Sequence, residues 1–283
     1  LQVPIELDNG ELAWRSYSIS SNPNRTDCYE IAVKREEYGK GGSIALHQQY
    51  QLGMNLLCKK PQNHFSLESN HHHSVLIACG IGITPIKSMA LDLLQNNASF
   101  EMHYAGQSDE KMACRDRLMR QMGNKLNIYT SVSGARLSLK NLIENLSIDK
   151  RKSAHFYLCG PSSMLADFIE ITHELGIEKG RVHFEQFTAN KNKVSKKCQL
   201  SLTKSKLNIS VKAEQSLLDA VLAANIQVPY SCTTGQCKSC VVQVSPSAGI
   251  QHRDSCLTDQ ERASGKMCLC VSRPTSENLA VDI

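Results

Sequence analysis

The sequence predicts a multidomain α/β and β protein built in three successive parts, and three observations predict it. Residues 1–66 hold short extended runs around turn signals. From Ser74 onward, apolar strands alternate with helical stretches. Beyond a lysine-rich segment, two more strands and a short helix lead into a tight group of cysteines. Short strands bounded by turn residues read as a partial antiparallel barrel, and strand–helix alternation as a parallel sheet with right-handed crossovers. The expected boundaries are 1–66, 67–190, a linker at 191–198, and 199–283.

In the first part, Leu1 to Leu7 is an extended run that Asp8-Asn9-Gly10 turns back toward a second run through Tyr17 to Ile19. Tyr29 to Arg35 alternates again. In the second part, Val75 to Cys79 is a short buried strand, and a helix is expected from Ile86 to about Gln95. Strands are expected at Phe100–Tyr104, Leu126–Thr130, His155–Leu158 and Val182–Glu185. Helices are expected around 110–122, 137–146 and 161–175. In the third part, Gln199–Thr203 and Leu207–Val211 read as a hairpin. Ser216 can cap a helix from Leu217 to Ala224, a strand runs over Val241–Val244, and Thr258-Asp259-Gln260-Glu261 has capping-box spacing.

The cysteines carry the chemistry. Cys232, Cys237 and Cys240 form C-x4-C-x2-C, and Cys270 follows after 29 intervening residues. That is the spacing of a plant-type [2Fe–2S] cluster, in which each iron needs two thiolates. A zinc site usually shows two short C-x2-C pairs, and only one is present. Cys268 lies two residues before Cys270 in Met267-Cys268-Leu269-Cys270. Continued strand alternation would point both the same way, so Cys268 is the alternative fourth ligand. The other cysteines are scattered, several in apolar runs where a thiol acts as a small hydrophobe.

Composition narrows the function classes. The net charge of +5 is mild, and no basic block interleaved with aromatics suggests nucleic acid. The longest apolar stretch, 74–89, is broken by glycines, a proline and a lysine, too short to span a bilayer. With no signal-peptide pattern and a chain too long to need disulfide staples, a cytoplasmic location is expected. Lys191, Lys193, Lys196 and Lys197 read first as a solvated linker and second as a docking patch. His71-His72-His73 could be a metal tract but reads more simply as a loop before a strand. Because the chain opens at Leu1 in mid-strand, a fragment lacking its natural start is expected.

Two glycine turns frame a crevice. Gly80-Ile81-Gly82-Ile83-Thr84-Pro85 lies between strand and helix, where open backbone and the helix terminus favour a pyrophosphate. Cys159-Gly160-Pro161 ends a later strand and opens another helix. Upstream, Arg15-Ser16-Tyr17-Ser18 offers a cation, an aromatic face and a hydroxyl, and Gly39-Lys40-Gly41-Gly42-Ser43 can wrap a phosphate. After the second strand of the alternating region, Asp109 would repel a 2′-phosphate and could accept from a ribose hydroxyl, which favours NADH over NADPH.

Taken in order, R-x-Y-S, G-x-G-G-S, the G-I-G-I-T-P turn, C-G-P-x-x-M, H-F-E-x-F and the cysteine motif resemble phthalate dioxygenase reductase-type flavoproteins. These belong to the ferredoxin–NAD(P)H reductase superfamily. Leu46-His47-Gln48-Gln49 and Glu261-Arg262-Ala263-Ser264 are similar to reductase components of vanillate O-demethylase and carnitine monooxygenase. The resemblance covers the whole chain. It implies a flavin-binding barrel incomplete at its N-terminus, an NAD-binding domain and a C-terminal β-grasp ferredoxin domain.

It also implies roles. Arg15, Gly41, Gly42 and Ser43 would hold the FMN phosphate and ribityl chain. Tyr17 would pack on the flavin ring, and Ser18 would hydrogen-bond near its reactive nitrogen. Gly80, Gly82 and Thr84 would line the dinucleotide path. Cys159, Gly160 and Pro161 would shape the nicotinamide pocket, with Glu185 and Phe187 near the flavin edge. Ser18, Thr84 and Cys159 are the expected catalytic residues. Two positions depart from the family pattern: Cys79 precedes Gly80 where glycine is common, and Lys238 replaces the usual loop glycine. The implied activity passes electrons from NADH through FMN and the [2Fe–2S] cluster to a Rieske-type oxygenase. The alternative is a ferredoxin-like electron-transfer module whose flavin half is non-functional.

Overall fold

Residues 1–7, 10, 12–39, 41–69, 73–187 and 195–283 are described by a computed structural model that divides into two units, Leu1–Glu185 and Gln186–Ile283. Asp8, Asn9, Lys40, His71, His72, Lys191 and Lys193 fall outside the described residues.

The first unit opens with a hairpin. Strand β1 (Gln2–Glu6) pairs antiparallel with β2 (Leu12–Ser16), Gln2 facing Ser16. Gly10 sits at φ +78, a left-handed conformation that glycine adopts without strain, and its N–H bonds Leu7 O at 2.8 Å. Helix α1 (Gly42–Gln49), which the sequence reading took for a turn, lays Ala45 and Leu46 on Val3 and Ile5. The alternating run 29–35 joins no strand ladder among the described residues. Its backbone meets single partners instead: Ser20 N–H donates to Glu30 O at 2.7 Å, and His47 Nε2 lies 3.0 Å from Val33 O. Strand propensity has little effect without a neighbouring strand.

The alternating region forms a five-stranded parallel sheet. Its strands are β3 (Ser74–Cys79), β4 (Phe100–Gly106), β5 (Leu126–Thr130), β6 (His155–Cys159) and β7 (Val182–Glu185), in the order β5-β4-β3-β6-β7. The helices are α2 (Ile83–Gln95), α3 (Arg115–Met122), α4 (Leu139–Glu144), α5 (Ile148–Ser153) and α6 (Ser162–Glu174). Leu76 and Ala78 join one apolar layer with Ile86, Met89 and Leu118. Val75 and Ile77 join another with Ile143, Leu158 and Phe168. Covering both faces explains why β3 reads as an unbroken apolar run.

Two local features differ from the sequence reading. The helix expected over 110–122 is interrupted: a 3-10 turn at Asp109–Lys111 is followed by Cys114 at φ +61, and α3 starts only afterwards. Helix α5 was not expected, although Ser147 caps it by accepting the Lys150 N–H.

The second unit begins with β8 (Cys198–Leu202) and β9 (Leu207–Val211), then α7 (Leu217–Ala223). Strands β10 (Val241–Gln243) and β11 (Ile250–Gln251), helix α8 (Asp259–Ala263) and strands β12 (Lys266–Cys268), β13 (Arg273–Pro274) and β14 (Asn278–Val281) follow. Strand β14 pairs parallel to β8, which pairs antiparallel to β9. Helix α7 packs with this mixed sheet around Leu200, Val211, Leu217 and Val221, a β-grasp arrangement. Ser216 caps α7 by accepting the Asp219 N–H at 2.9 Å. Both bonds of the Thr258–Glu261 capping box form. Among the described residues, no helix is long and apolar enough to cross a membrane.

Candidate electron-transfer sites

Strand order locates a crevice in the first unit. From β3 the chain builds outward to β4 and β5 on one side, and then to β6 and β7 on the other. The order therefore reverses between β3 and β6, and ligands of open α/β sheets bind at the carboxyl ends of such a pair. The two glycine turns follow these two strands. A Cβ on Gly82 would collide with the Cys159 carbonyl, and one on Gly160 would lie 3.0 Å from Cys79 Cβ. The strand ends thus meet backbone against backbone. Gly80 is left-handed at φ +56, with nothing within 4 Å of where its Cβ would stand.

Around this floor, Thr84 is buried and its hydroxyl donates to Ile81 O at 3.1 Å, which closes the turn. Cys159 is fully buried, and burial pushes its thiol well up, so it is a neutral wall. Pro161 precedes α6 in an extended conformation. Asp109 stands after β4, and its Oδ2 accepts from Arg115 at 3.0 Å, while Arg115 also reaches Asp116 Oδ1 at 2.8 Å. Sequence reasoning missed Arg115, whose signal was the charged run from Asp109 to Arg117.

The hairpin supplies a second cradle. A Cβ on Gly42 would collide with Arg15 Nε, so glycine lets the guanidinium lie against the first turn of α1. Gly41 caps that helix at φ +77. Ser43 Oγ accepts the Glu36 N–H at 2.9 Å. A cation beside a helix N-terminus built on small residues fits a phosphate. Tyr17 is half-buried against the β1–α1 core, and burial raises its phenol despite the opposing charge of Arg15. Ser18 Oγ donates to Glu185 Oε2 at 3.1 Å, joining two residues 167 positions apart. Phe187, in the other unit, is 39% exposed.

One buried ion cluster was not visible in the sequence. Lys87 on α2 is 1% exposed and bonds Glu30 Oε1. Arg117 on α3 donates to Glu30 Oε2 at 2.9 Å. Burial works against the Glu30 charge, but Lys87 and Arg117 hold its carboxyl below the usual range. Three histidines on the strands of the parallel sheet have partners. His103 lies 3.3 Å from Glu101 and 3.0 Å from Tyr129 OH, and the His155 and His183 rings stack. His73 is buried 3.6 Å from Glu101.

In the second unit the cysteines gather as the spacing predicts. Cys237 Sγ accepts the Cys232 N–H at 3.4 Å, and Cys232 Sγ accepts the Thr234 and Gln236 N–H groups, each at 3.4 Å. The Cys237 thiol, together with these amides, holds the Cys232 thiol well below its ordinary range despite burial. Cys240 is depressed likewise, by hydrogen bonds from Cys268 and Cys270. Cys232 and Cys237 thus form one thiol pair, and Cys240 meets both Cys268 and Cys270, while two irons require four thiolates.

Left-handed Thr233 (φ +56) and Lys238 (φ +60) lie within this loop. Strand β12 ends at Cys268, and the chain turns before Cys270, so alternation does not carry through. Cys268 instead lies between Cys240 and Cys256, whose sulfur is 3.6 Å away. Lys238 Nζ is paired with both oxygens of Glu261, at 2.9 and 2.8 Å. Lys196 and Lys197 precede β8.

Comparison with known proteins decides the family. Residues 76–169 match an oxidoreductase NAD-binding domain, and residues 201–275 match a 2Fe-2S iron-sulfur cluster binding domain. The chain is 35% identical to the heme-dependent oxidative N-demethylase beta subunit of Ectopseudomonas mendocina, over 99% of this chain and 87% of that protein. It is 32% identical to the carnitine monooxygenase reductase subunit of Acinetobacter baumannii, over 95% and 83%. The solved structure of phthalate dioxygenase reductase, described as modular for electron transfer from pyridine nucleotides to [2Fe-2S], superposes with a TM-score of 0.72 at 29% identity, covering 100% of this chain and 87% of that one. The chain belongs to the phthalate dioxygenase reductase-type oxygenase reductases. As a member of this family it is an oxidoreductase with an NAD-binding domain and a [2Fe–2S] domain. For a reductase of this family, the cradle at Gly42, the switch-point crevice and the paired thiols are the three features its cofactors need.

Proposed function

We propose that this reductase delivers single electrons to a Rieske-type non-haem iron oxygenase. The observation that carries this reading is the paired-thiol loop of the second unit in a chain that also holds a glycine-built nucleotide crevice. Bound FMN supplies the conversion between two-electron hydride donors and one-electron acceptors, and the protein supplies orientation and potential. Arg15, Gly41, Gly42 and Ser43 hold the flavin phosphate and ribityl chain. Tyr17 covers the ring, and Ser18, held by Glu185, presents its hydroxyl to the reactive nitrogen. Gly80, Gly82 and Thr84 form the dinucleotide path. Cys159, Gly160 and Pro161 wall the nicotinamide and exclude water. Cys232, Cys237, Cys240 and Cys270 ligate the cluster. Plant-type centres lie near about −400 mV and Rieske centres higher, so transfer to that partner runs downhill.

The relative named as heme-dependent supports a second partner class, a haem oxygenase component. The Arg15–Gly42 cradle argues against the reading in which the flavin half is vestigial. A visible spectrum separates these readings: flavin bands beside cluster bands are expected, and cluster bands alone would favour the bare electron-transfer module. NADH-dependent turnover of a reconstituted Rieske oxygenase tests the partner, and turnover only with a haem component would transfer the assignment to that class.

A further inference from the structure

The cluster uses four of the seven cysteines in the second unit, leaving Cys198, Cys256 and Cys268. Cys198 packs in the apolar core. Cys256 and Cys268 do something else: their sulfurs lie 3.6 Å apart, and with a carboxylate oxygen of Asp254 the three donor atoms all fall within 4.8 Å of one another. A tetrahedral ion with metal–sulfur bonds of about 2.3 Å separates two sulfur ligands by about 3.8 Å. The pair already stands near that spacing.

The carboxylate is held in place. The Asp254 side chain is 0% exposed. Its Oδ2 accepts from the Leu257 N–H and from Arg262 Nη2, both at 3.2 Å, and its Oδ1 accepts from the Ser272 hydroxyl at 3.4 Å. Oriented carboxylates of this kind are what metal sites rely on. His252 Nδ1, buried without a hydrogen-bond partner among the described residues, lies 3.4 Å from Asp254 Oδ1 but outside that 4.8 Å group, so it flanks the carboxylate and does not complete the donor set. Charge also balances, because two thiolates and a carboxylate around a dication leave one negative charge, which Arg262 offsets.

We infer that Asp254, Cys256 and Cys268 form a second metal site, with His252 orienting the Asp254 carboxylate from outside it, for a thiophilic divalent cation such as Zn²⁺, beside the [2Fe–2S] cluster. The ion would tie the 252–256 segment to the end of β12. It would also withhold Cys268 from Cys240, its neighbour, and so leave Cys270 as the fourth cluster ligand.

The experiment uses the whole chain with its cluster reconstituted, loaded with Zn²⁺, passed over a chelating resin, and assayed for zinc, iron and zinc-edge X-ray absorption. One zinc beside two irons is expected, with two sulfurs at about 2.3 Å. Cys256→Ala and His252→Ala should keep both irons and the reduced-cluster EPR signal while binding zinc at least about tenfold more weakly. If Cys256→Ala loses iron through misfolding, His252→Ala carries the test. The inference is overturned if wild type retains no more zinc than the variants, if zinc enters only as iron leaves, or if peptide mapping finds Cys256 and Cys268 joined as a disulfide. Loss of iron from wild type without any zinc dependence would instead count against the cluster assignment itself.

Discussion

Two regions of this protein gather cysteine sulfur, and they treat it in opposite ways. At the switch-point crevice, burial raises the Cys79 and Cys159 thiols, and the neighbouring Glu185 charge adds to the rise at Cys159. In the cluster loop, sulfur meets backbone amides and other thiols: Cys232 and Cys240, which accept, are depressed although shielded from water, while Cys237 and Cys270, which donate to them, are raised. Burial alone makes a thiol inert. Donors aimed at the sulfur make it a ligand, and the left-handed residues Thr233 and Lys238 help turn the loop amides inward. The crevice, in contrast, takes its shape from glycine.

The contrast can be broken most decisively at the loop. Cys237→Ser, like serine at Cys232, Cys240 or Cys270, is expected to abolish the rhombic EPR signal of the reduced cluster, whereas Cys268→Ser keeps it. Survival of the signal in Cys270→Ser with loss in Cys268→Ser would reverse the ligand assignment. At the crevice the expected damage comes from added volume. Gly82→Ala must displace the Cys159 carbonyl, which should cost about 1–3 kcal/mol and a large fraction of NADH-dependent cytochrome c reduction. Cys159→Ala should do far less to cofactor retention, and equal losses in the two variants would refute the view that backbone approach is the controlling feature.

At the crevice rim the effect is on selectivity. Asp109→Asn removes a carboxylate that now occupies Arg115, so kcat/KM for NADPH should rise relative to NADH while the wild type favours NADH. A wild-type preference for NADPH would sink this reading. The smallest effect is expected at the loop rim. Lys238 is paired with Glu261 at the surface, where such pairs contribute little. Lys238→Glu should therefore slow transfer to the oxygenase only modestly and in a salt-dependent way, with ferricyanide reduction unchanged.

Much of this was legible in the sequence. The alternation of strands and helices behind the parallel sheet, both glycine turns, the Ser216 cap, the capping box and the Cys232–Cys237–Cys240 loop follow from short-range spacing. Features that depend on distant partners were not. Nothing near Glu30 announces Lys87 and Arg117, which lie 57 and 87 residues away. The run 29–35 has strand composition, yet whether it becomes a strand depends on neighbours that its own residues do not encode. Cys268 read as a duplicate of Cys270 because alternation was carried past the end of β12. Cys114 broke an otherwise regular helical pattern with a backbone conformation that cysteine seldom adopts.

The Glu30 cluster bears on how the first unit responds to heat. One carboxylate is shared by the segment after the hairpin, the helix that starts at the glycine turn and the helix after β4. Freeing the Glu30 segment or the Lys87 helix leaves a buried ammonium without its counter-charge, a destabilising change, whereas the exposed Arg117 adds a weaker tie. The segment around Glu30 and the nucleotide sheet are thereby obliged to melt together, and calorimetry on residues 1–185 should record one endotherm, where Glu30→Gln would split or broaden it.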